Sequence, residues 1–320
     1  MIDRLNEEVD TLQVGGNRAS LPMRALASML MRARRLRTPM SQSDADRRRA
    51  ALQEMGPEQP PWWVRTTCTI TAEIRDGLPV YVVAPRRTNA AAVMMYLHGG
   101  GHSTPLRQGH WKLVAKLAVD NALRVVVPAY ELAPQGTHRE ALDRMTALYE
   151  ELAAEQAEGP YLAGDSSGGG LVYAVAQRIR DRELPPSPRL FLFSPWLDAT
   201  LNNPDIVDLV RHEPILEVAA LRRFGKDWAG TESPEIPEVS PIFGDLTGLP
   251  PVEVFVGTRD LLVADCRALA TTAARDGLDV RVYEYDEAFH VFMWLGWLPE
   301  SRHVFRVIRR AVRDDRRRAN

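Results

Sequence analysis

Short apolar runs alternate with amphipathic stretches from about residue 66 onward. Runs at 66–74, 80–85, 92–97, 123–129, 161–164, 189–194, 252–257 and 279–285 predict eight strands. The middle and later ones, such as AVMMYL (92–97) and VEVFVG (252–257), are almost continuously apolar. Strands covered on both faces carry that pattern. Between them, residues 111–122, 138–155, 170–182, 265–277 and 301–315 read as helices. In 138–154, Leu142, Met145, Leu148 and Leu152 recur at three- and four-residue spacing, which makes one apolar face. Strands alternating with helices predict βαβ units and a mainly parallel sheet, with the hairpin-like pair at 66–85 as its antiparallel edge.

Two regions break the rhythm. Residues 1–60 are polar and helical, closed by a linker, PEQPPWW; residues 201–250 hold one clear helix, ILEVAALRRFGKDW, between proline-rich turns. Both are expected to pack over one end of the sheet as a helical cap. The expected division is an N-terminal cap segment 1–60, a catalytic domain 61–200 and 246–320, and an inserted cap segment 201–245.

Composition adds mainly exclusions. A net charge of -2 on 320 residues gives no global field that favours nucleic acid or an anionic membrane. Cys68 and Cys266 lie in apolar segments and read as buried thiols of a reducing compartment. The opening residues lack a basic stretch followed by an apolar one, and no apolar run approaches a membrane span, so a cytoplasmic location is expected. The C-terminal RRAVRDDRRRAN balances its arginines partly with aspartates and reads as a solvated, frayed helix end. Residues 23–37 place Leu26, Met29, Leu30, Ala33 and Leu36 at helical spacing beside Arg24, Arg32, Arg34, Arg35 and Arg37. Such a helix could lie on an anionic bilayer, but the elements after it favour a cap helix with its apolar face inward.

The chemistry starts at YLAGDSSGGG, between a predicted strand and a predicted helix. Of its two serines only Ser166 sits in G-x-S-x-G, as Gly164-Asp165-Ser166-Ser167-Gly168. A strand-to-helix turn that exposes a nucleophile needs small flanking residues so that backbones can close in. Alone, the pattern also suits a plain glycine-rich turn capped by serines. A second feature weighs against that: His98-Gly99-Gly100-Gly101 follows the third strand directly, where bare peptide N–H groups can face an oxyanion. A serine also needs a base and an orienting carboxylate. Of seven histidines, His290 follows the last strand, where the order Ser…Asp…His requires it. Asp260 lies just after a strand end, whereas Asp265 falls in the next helix and reads as a first-turn complement to its dipole.

With these residues in place, the chain resembles the hormone-sensitive-lipase-like family of α/β-hydrolases, which includes bacterial carboxylesterases. The matching stretches are HGGG (98–101), YELAP (130–134), GDSSGG (164–169), SPWLD (194–198), LPP (249–251), GTRDLLVAD (257–265) and FHVF (289–292). The resemblance implies an α/β-hydrolase fold, with a mostly parallel eight-stranded sheet flanked by helices and a helical cap. It implies Ser166 as nucleophile, Asp260 as acid and His290 as base. Gly100, Gly101 and Ser167 would supply oxyanion donors, and His98, Gly99 and Asp165 would hold the loop and elbow. Ala129, Gln135, Ala288 and His102 depart from the family pattern, the first two at positions that usually help anchor the glycine loop.

The expected activity is hydrolysis of short- to medium-chain carboxylic esters through an acyl-enzyme, with no metal or organic cofactor. His98 and His102 flank a glycine run that cannot bring them to one helix face, so no metal site is expected. The same triad could serve an amidase or an N- or O-deacetylase. A non-catalytic binding protein on this fold is disfavoured, because Ser166, Asp260 and His290 are all present. Leu216, Phe224, Trp228 and His102 are the pocket candidates, and the strand at 279–285 offers an edge through which two copies could pair.

Overall fold

The computed structural model describes residues 18–38, 41–90, 92–156 and 158–319, so the first 17 residues of the expected cap segment fall outside it. The strands are β1 (Cys68–Arg75), β2 (Leu78–Pro85), β3 (Ala92–Leu97), β4 (Leu123–Pro128), β5 (Tyr161–Asp165), β6 (Leu190–Phe193), β7 (Val252–Gly257) and β8 (Val280–Tyr285). The helices are α1 (Leu21–Leu36), α2 (Gln42–Met55), α3 (Trp62–Thr67), α4 (Gln108–Asn121), α5 (His138–Ala154), α6 (Ser167–Asp181), α7 (Ile206–Leu209), α8 (Val218–Ala229), α9 (Val263–Asp276) and α10 (Pro299–Ala319).

All eight strands join one sheet in the order β1-β2-β4-β3-β5-β6-β7-β8. β2 pairs antiparallel with both β1 and β4, and every pairing from β4 to β8 is parallel. The expected antiparallel edge is therefore present, and β8 forms the opposite edge. Period-two alternation separates the two faces: Met94 and Tyr96 enter the layer under α4 and α10, while Val93, Met95 and Leu97 enter the layer under α5, α6 and α9. Because both faces are covered, β3, β5, β6 and β7 are buried almost throughout, which accounts for their unbroken apolar sequences.

Three local expectations shift. The linker does not run straight into the first strand: Trp62–Thr67 forms α3, which displaces the start of β1 to Cys68. On α1 the face turned inward is Met23 and Ala27 with Leu26 and Leu30, whereas Met29 and Leu36 are exposed. The C-terminus is also more than a frayed end. α10 runs to Ala319, and Asp315 accepts two hydrogen bonds from the buried Arg189, at 2.9 and 2.7 Å. A buried guanidinium needs carboxylate partners, and Glu253 supplies another at 2.8 Å.

The inserted segment contributes Leu201, Ile206, Leu221, Trp228 and Val239 to the apolar layer on the α5–α6 side. It is tied to α2 by Arg49–Asp227 and Asp46–Arg223 pairs, which set α8 against that helix. Among the described residues, no helix is long and apolar enough to cross a membrane.

Candidate active site

The segments that carry Ser166, Asp260 and His290 all leave the carboxyl ends of parallel strands, the end at which open α/β sheets gather their reactive groups. β5 turns into α6 at Ser166, whose backbone takes φ 51° and ψ -122°. A non-glycine residue is rarely held there, and it persists only where its surroundings leave no alternative. The surroundings are backbone. A Cβ on Gly164 would meet Gly168 O at 2.5 Å, and one on Gly168 would meet Leu97 O at 2.1 Å. The N–H of Ser166 donates to Phe193 O at 2.9 Å, and its carbonyl accepts from Trp196 N at the same distance.

This turn aims the Ser166 hydroxyl at His290 Nε2, 3.0 Å away. His290 Nδ1 lies 2.7 Å from Asp260 Oδ2, while Asp260 Oδ1 accepts the Leu262 N–H at 3.0 Å. Asp260 is completely buried. Burial alone would lower the His290 pKa, but the Asp260 charge and hydrogen bond outweigh it. With Glu213 and Asp165 adding in the same sense, the imidazole stands above its ordinary value. Ser167 points elsewhere: its hydroxyl accepts the His102 N–H at 3.1 Å.

The glycine loop is fastened on both sides of Gly100 and Gly101. Gly99 N–H donates to Asp165 Oδ1 at 2.9 Å, and the His102 bond to Ser167 closes the other side. A Cβ on Gly99 would stand 3.0 Å from that of Ser166, so the loop lies against the serine. Gly100 and Gly101 both take positive φ, and the N–H groups of Gly100, Gly101 and Ser167 donate to no acceptor among the described residues. Unspent donors beside a serine hydroxyl could meet a developing oxyanion. The positions where the family pattern is missing, Ala129 and Gln135, are compensated locally. Tyr130 donates to His98 O at 2.6 Å, and Gln53 of α2 donates to both Ser103 O and Ala133 O at 2.8 Å.

Asp165 and His98 lie beside the loop, Asp165 bonded to Gly99 and His98 stacked on Tyr130. Burial brings the His98 pKa down to about 3, so it is neutral. Burial works against the charge of Asp165, but His110, the Tyr96 hydroxyl and the Gly99 N–H hold its pKa below the carboxylate norm. Tyr96 and His110 carry no mark of this role in the sequence; both look like core residues of a strand and a helix. His110 Nδ1 is taken by the Arg107 N–H, which leaves Nε2 facing Asp165 at 3.5 Å, a contact more electrostatic than hydrogen-bonded. Ser194, in SPWLD, also takes positive φ, and its hydroxyl accepts the Val291 N–H at 3.2 Å, which steadies the residue after His290.

Of the pocket candidates, Phe224 lies over the glycine loop, with a ring carbon 2.8 Å from where a Gly101 Cβ would be. Trp228 and His102 stack face to face at 3.9 Å, both buried, so they form a sealed wall more than an open one. Leu216 is half-buried in the same layer, and its N–H donates to Glu213. Of the two tryptophans that end the PEQPPWW linker, Trp62 is exposed and Trp63 packs on the opposite layer. Asp265 proves to be buried and bonded to Asn203 of the inserted segment at 2.9 Å.

The residue least visible in the sequence is Glu213. It stands in the inserted segment, is completely buried, and accepts the N–H of Leu261, the neighbour of Asp260, at 3.0 Å. Nothing in RHEPILE marks it apart from any loop glutamate.

A family model described as alpha/beta hydrolase fold matches residues 94–294. An acetyl-hydrolase of Streptomyces hygroscopicus is 34% identical over 229 residues, 70% of this chain and 76% of its own. An esterase of Acinetobacter venetianus is 30% identical over 223 residues, 68% of this chain and 73% of its own. Among solved structures, an esterase from the bacterial hormone-sensitive lipase family superposes with a TM-score of 0.77 at 26% identity, across 93% of this chain and 99% of that one. The match spans well over half the chain and runs from the third strand past the last histidine of the site: the chain belongs to the alpha/beta-hydrolase family.

Proposed function

We propose that the chain is a serine carboxylesterase that hydrolyses short- to medium-chain esters through an acyl-enzyme. The observation that carries this reading is the hydrogen-bonded line Ser166–His290–Asp260, ending beneath a glycine loop with unspent N–H donors. A relative described as an esterase supports the ester class, and one described as an acetyl-hydrolase supports a short acyl group on either bond. An ester also needs less help than an amide in expelling its leaving group.

In this reading His290 accepts the Ser166 proton as the hydroxyl oxygen bonds to the ester carbonyl carbon. Asp260 fixes the imidazole so that Nε2 is the free acceptor and steadies the imidazolium that forms. The carbonyl oxygen takes the electron pair and is met by the Gly100, Gly101 and Ser167 N–H groups, each worth roughly 3 kcal/mol at such a site. Collapse of the tetrahedral adduct breaks the ester C–O bond, and His290 gives its proton to the departing alcohol. Water then repeats the sequence on the acyl-enzyme and releases the acid. Because His290 must be neutral to start, and its pKa is raised, activity should fall on the acid side earlier than an ordinary histidine would dictate.

In this reading Phe224 over Gly101, with Leu216 and the Trp228–His102 wall, would face the acyl group. The buried, unpaired Cys68 and Cys266 suit a reducing cytoplasm, which cell fractionation would read. The β8 edge is where two copies would pair, and a monomer mass by light scattering would remove that part.

Hydrolysis of p-nitrophenyl esters from acetate to palmitate, with native protein and Ser166→Ala side by side, tests the reading. A short-chain optimum lost by a factor on the order of 10⁴ or more in the variant is expected. Turnover on no chain length, or a variant equal to the native protein, would sink it.

A further inference from the structure

We infer that Glu213 is a positioning residue for the ester hydrolysis proposed above, locking the inserted segment to the loop of Asp260 and setting the charge behind His290. The inference rests on that reading of the site. Glu213 precedes α8, 47 residues before Asp260 in the chain, yet its carboxylate is spent on holding the Asp260 loop. Oε1 accepts the N–H groups of Ile215 at 2.6 Å and Leu216 at 3.0 Å, and Oε2 accepts Leu261 N–H at 3.0 Å. Asp260 grips the very next peptide, taking Leu262 N–H on Oδ1 at 3.0 Å while Oδ2 holds His290.

Two buried carboxylates thus hold consecutive N–H groups of one loop. Losing the Glu213 oxygen would leave the buried Leu261 N–H without an acceptor and free the loop to turn Asp260 off the imidazole. The same residue is tied to a third segment, because Arg34 of α1 donates to its carbonyl oxygen. One buried side chain therefore sits where α1, the inserted segment and the acid loop meet.

Its charge matters as well as its shape. Burial, and then the Asp260 charge, push the Glu213 carboxyl up to about 7, with His290 pulling the other way. The charged groups around it are Asp260 and His290 on the sheet side and Arg34 from α1; Arg259, next to Asp260, is paired with Glu287, and Asp165 acts on His290 from the elbow. Ionised Glu213 favours the imidazolium, so its removal should let His290 shed its proton at lower pH. A glutamate that only shaped a turn would alter stability and leave that titration where it was.

Glu213→Gln keeps the size and removes the charge, while its amide has only one accepting oxygen and a donating nitrogen, so it cannot accept on both sides. Steady-state kinetics on p-nitrophenyl acetate across pH should show kcat reduced about tenfold to a hundredfold. KM should change far less, and the acid limb of kcat/KM should move to lower pH. A folded Glu213→Gln whose acid limb stays at the native position overturns the inference, whatever its rate. Should that variant not fold, the His290 ring signals of full-length Ser166→Ala can be followed by NMR across pH. A titration showing two inflections, one from a coupled carboxyl, supports the inference; a single inflection at the ordinary histidine value overturns it. The NMR reading needs no turnover, so it stands apart from failure of the esterase assignment itself.

Discussion

The elbow and the roof of this site are held by different kinds of contact. Around Ser166 the neighbours are backbone atoms: Leu97 O, Gly168 O and Trp196 O all lie within 3 Å of where a glycine Cβ would be. Nothing there can rotate aside. Over the glycine loop the roof is held by side chains, through Arg49–Asp227, Arg222 to Thr200 O, Asp265–Asn203 and the His102–Trp228 stack. Those groups can be exchanged for others of similar reach. A strained turn at Ser166 needs the first arrangement, because any slack would let its φ relax. A wall of side chains tolerates the second, and Glu213 is where the inserted segment meets the Asp260 loop.

The sharpest way to break that contrast is Gly168→Ala. The added methyl would lie 2.1 Å from Leu97 O and 2.6 Å from His98 C, so α6 or β3 must move. Overpacking of this kind costs roughly 1–3 kcal/mol, and a displacement of even ~1 Å at the nucleophile can cost about a hundredfold in rate. We expect a lower Tm together with kcat/KM reduced by about that factor or more. Native-like kinetics in Gly168→Ala would mean that the tight packing of the elbow is not what holds Ser166.

The same contrast explains what the sequence disclosed. Glycines forced by backbone approach leave a mark in the chain, and GDSSGG with HGGG located Ser166 and the loop. Unbroken apolar runs likewise marked the strands, because both faces of the sheet are covered. His290 and Asp260 were legible from their order and their place after strands. Contacts made by ordinary side chains leave no such mark. Tyr96 and His110 alternate and recur as core residues do, and only the fold sets them against Asp165. Glu213 is separated from Leu261 by all of α8 and β7, so no local spacing could connect them. In the sequence Asp315 looks like part of a solvated tail, because its partner, Arg189, lies 126 residues away.

A smaller effect tests the roof at its root. Asp265 occupies the first turn of α9, where the sequence suggested a charge complementing the helix dipole. The structure buries it instead: Oδ1 takes Asn203, and Oδ2 has no hydrogen-bond partner. Burial first, and then the nearby Asp198, push its pKa up to about 7 against the pull of the Asn203 bond. With the folded pKa above the unfolded value, the folded state binds the proton more tightly. The associated stability is therefore full below about pH 4 and is lost as pH rises toward about 7. Asp265→Asn keeps the acceptor for Asn203 and cannot ionise. It should match the native protein near pH 4 and exceed it at pH 8 by on the order of 2 kcal/mol in chemical denaturation. A variant less stable than the native protein at pH 8 would instead give Asp265 the role of a stabilising charge. The roof would then be anchored to α9 by an ionised carboxylate that water or a cation reaches, not by a protonated one sealed beneath the inserted segment.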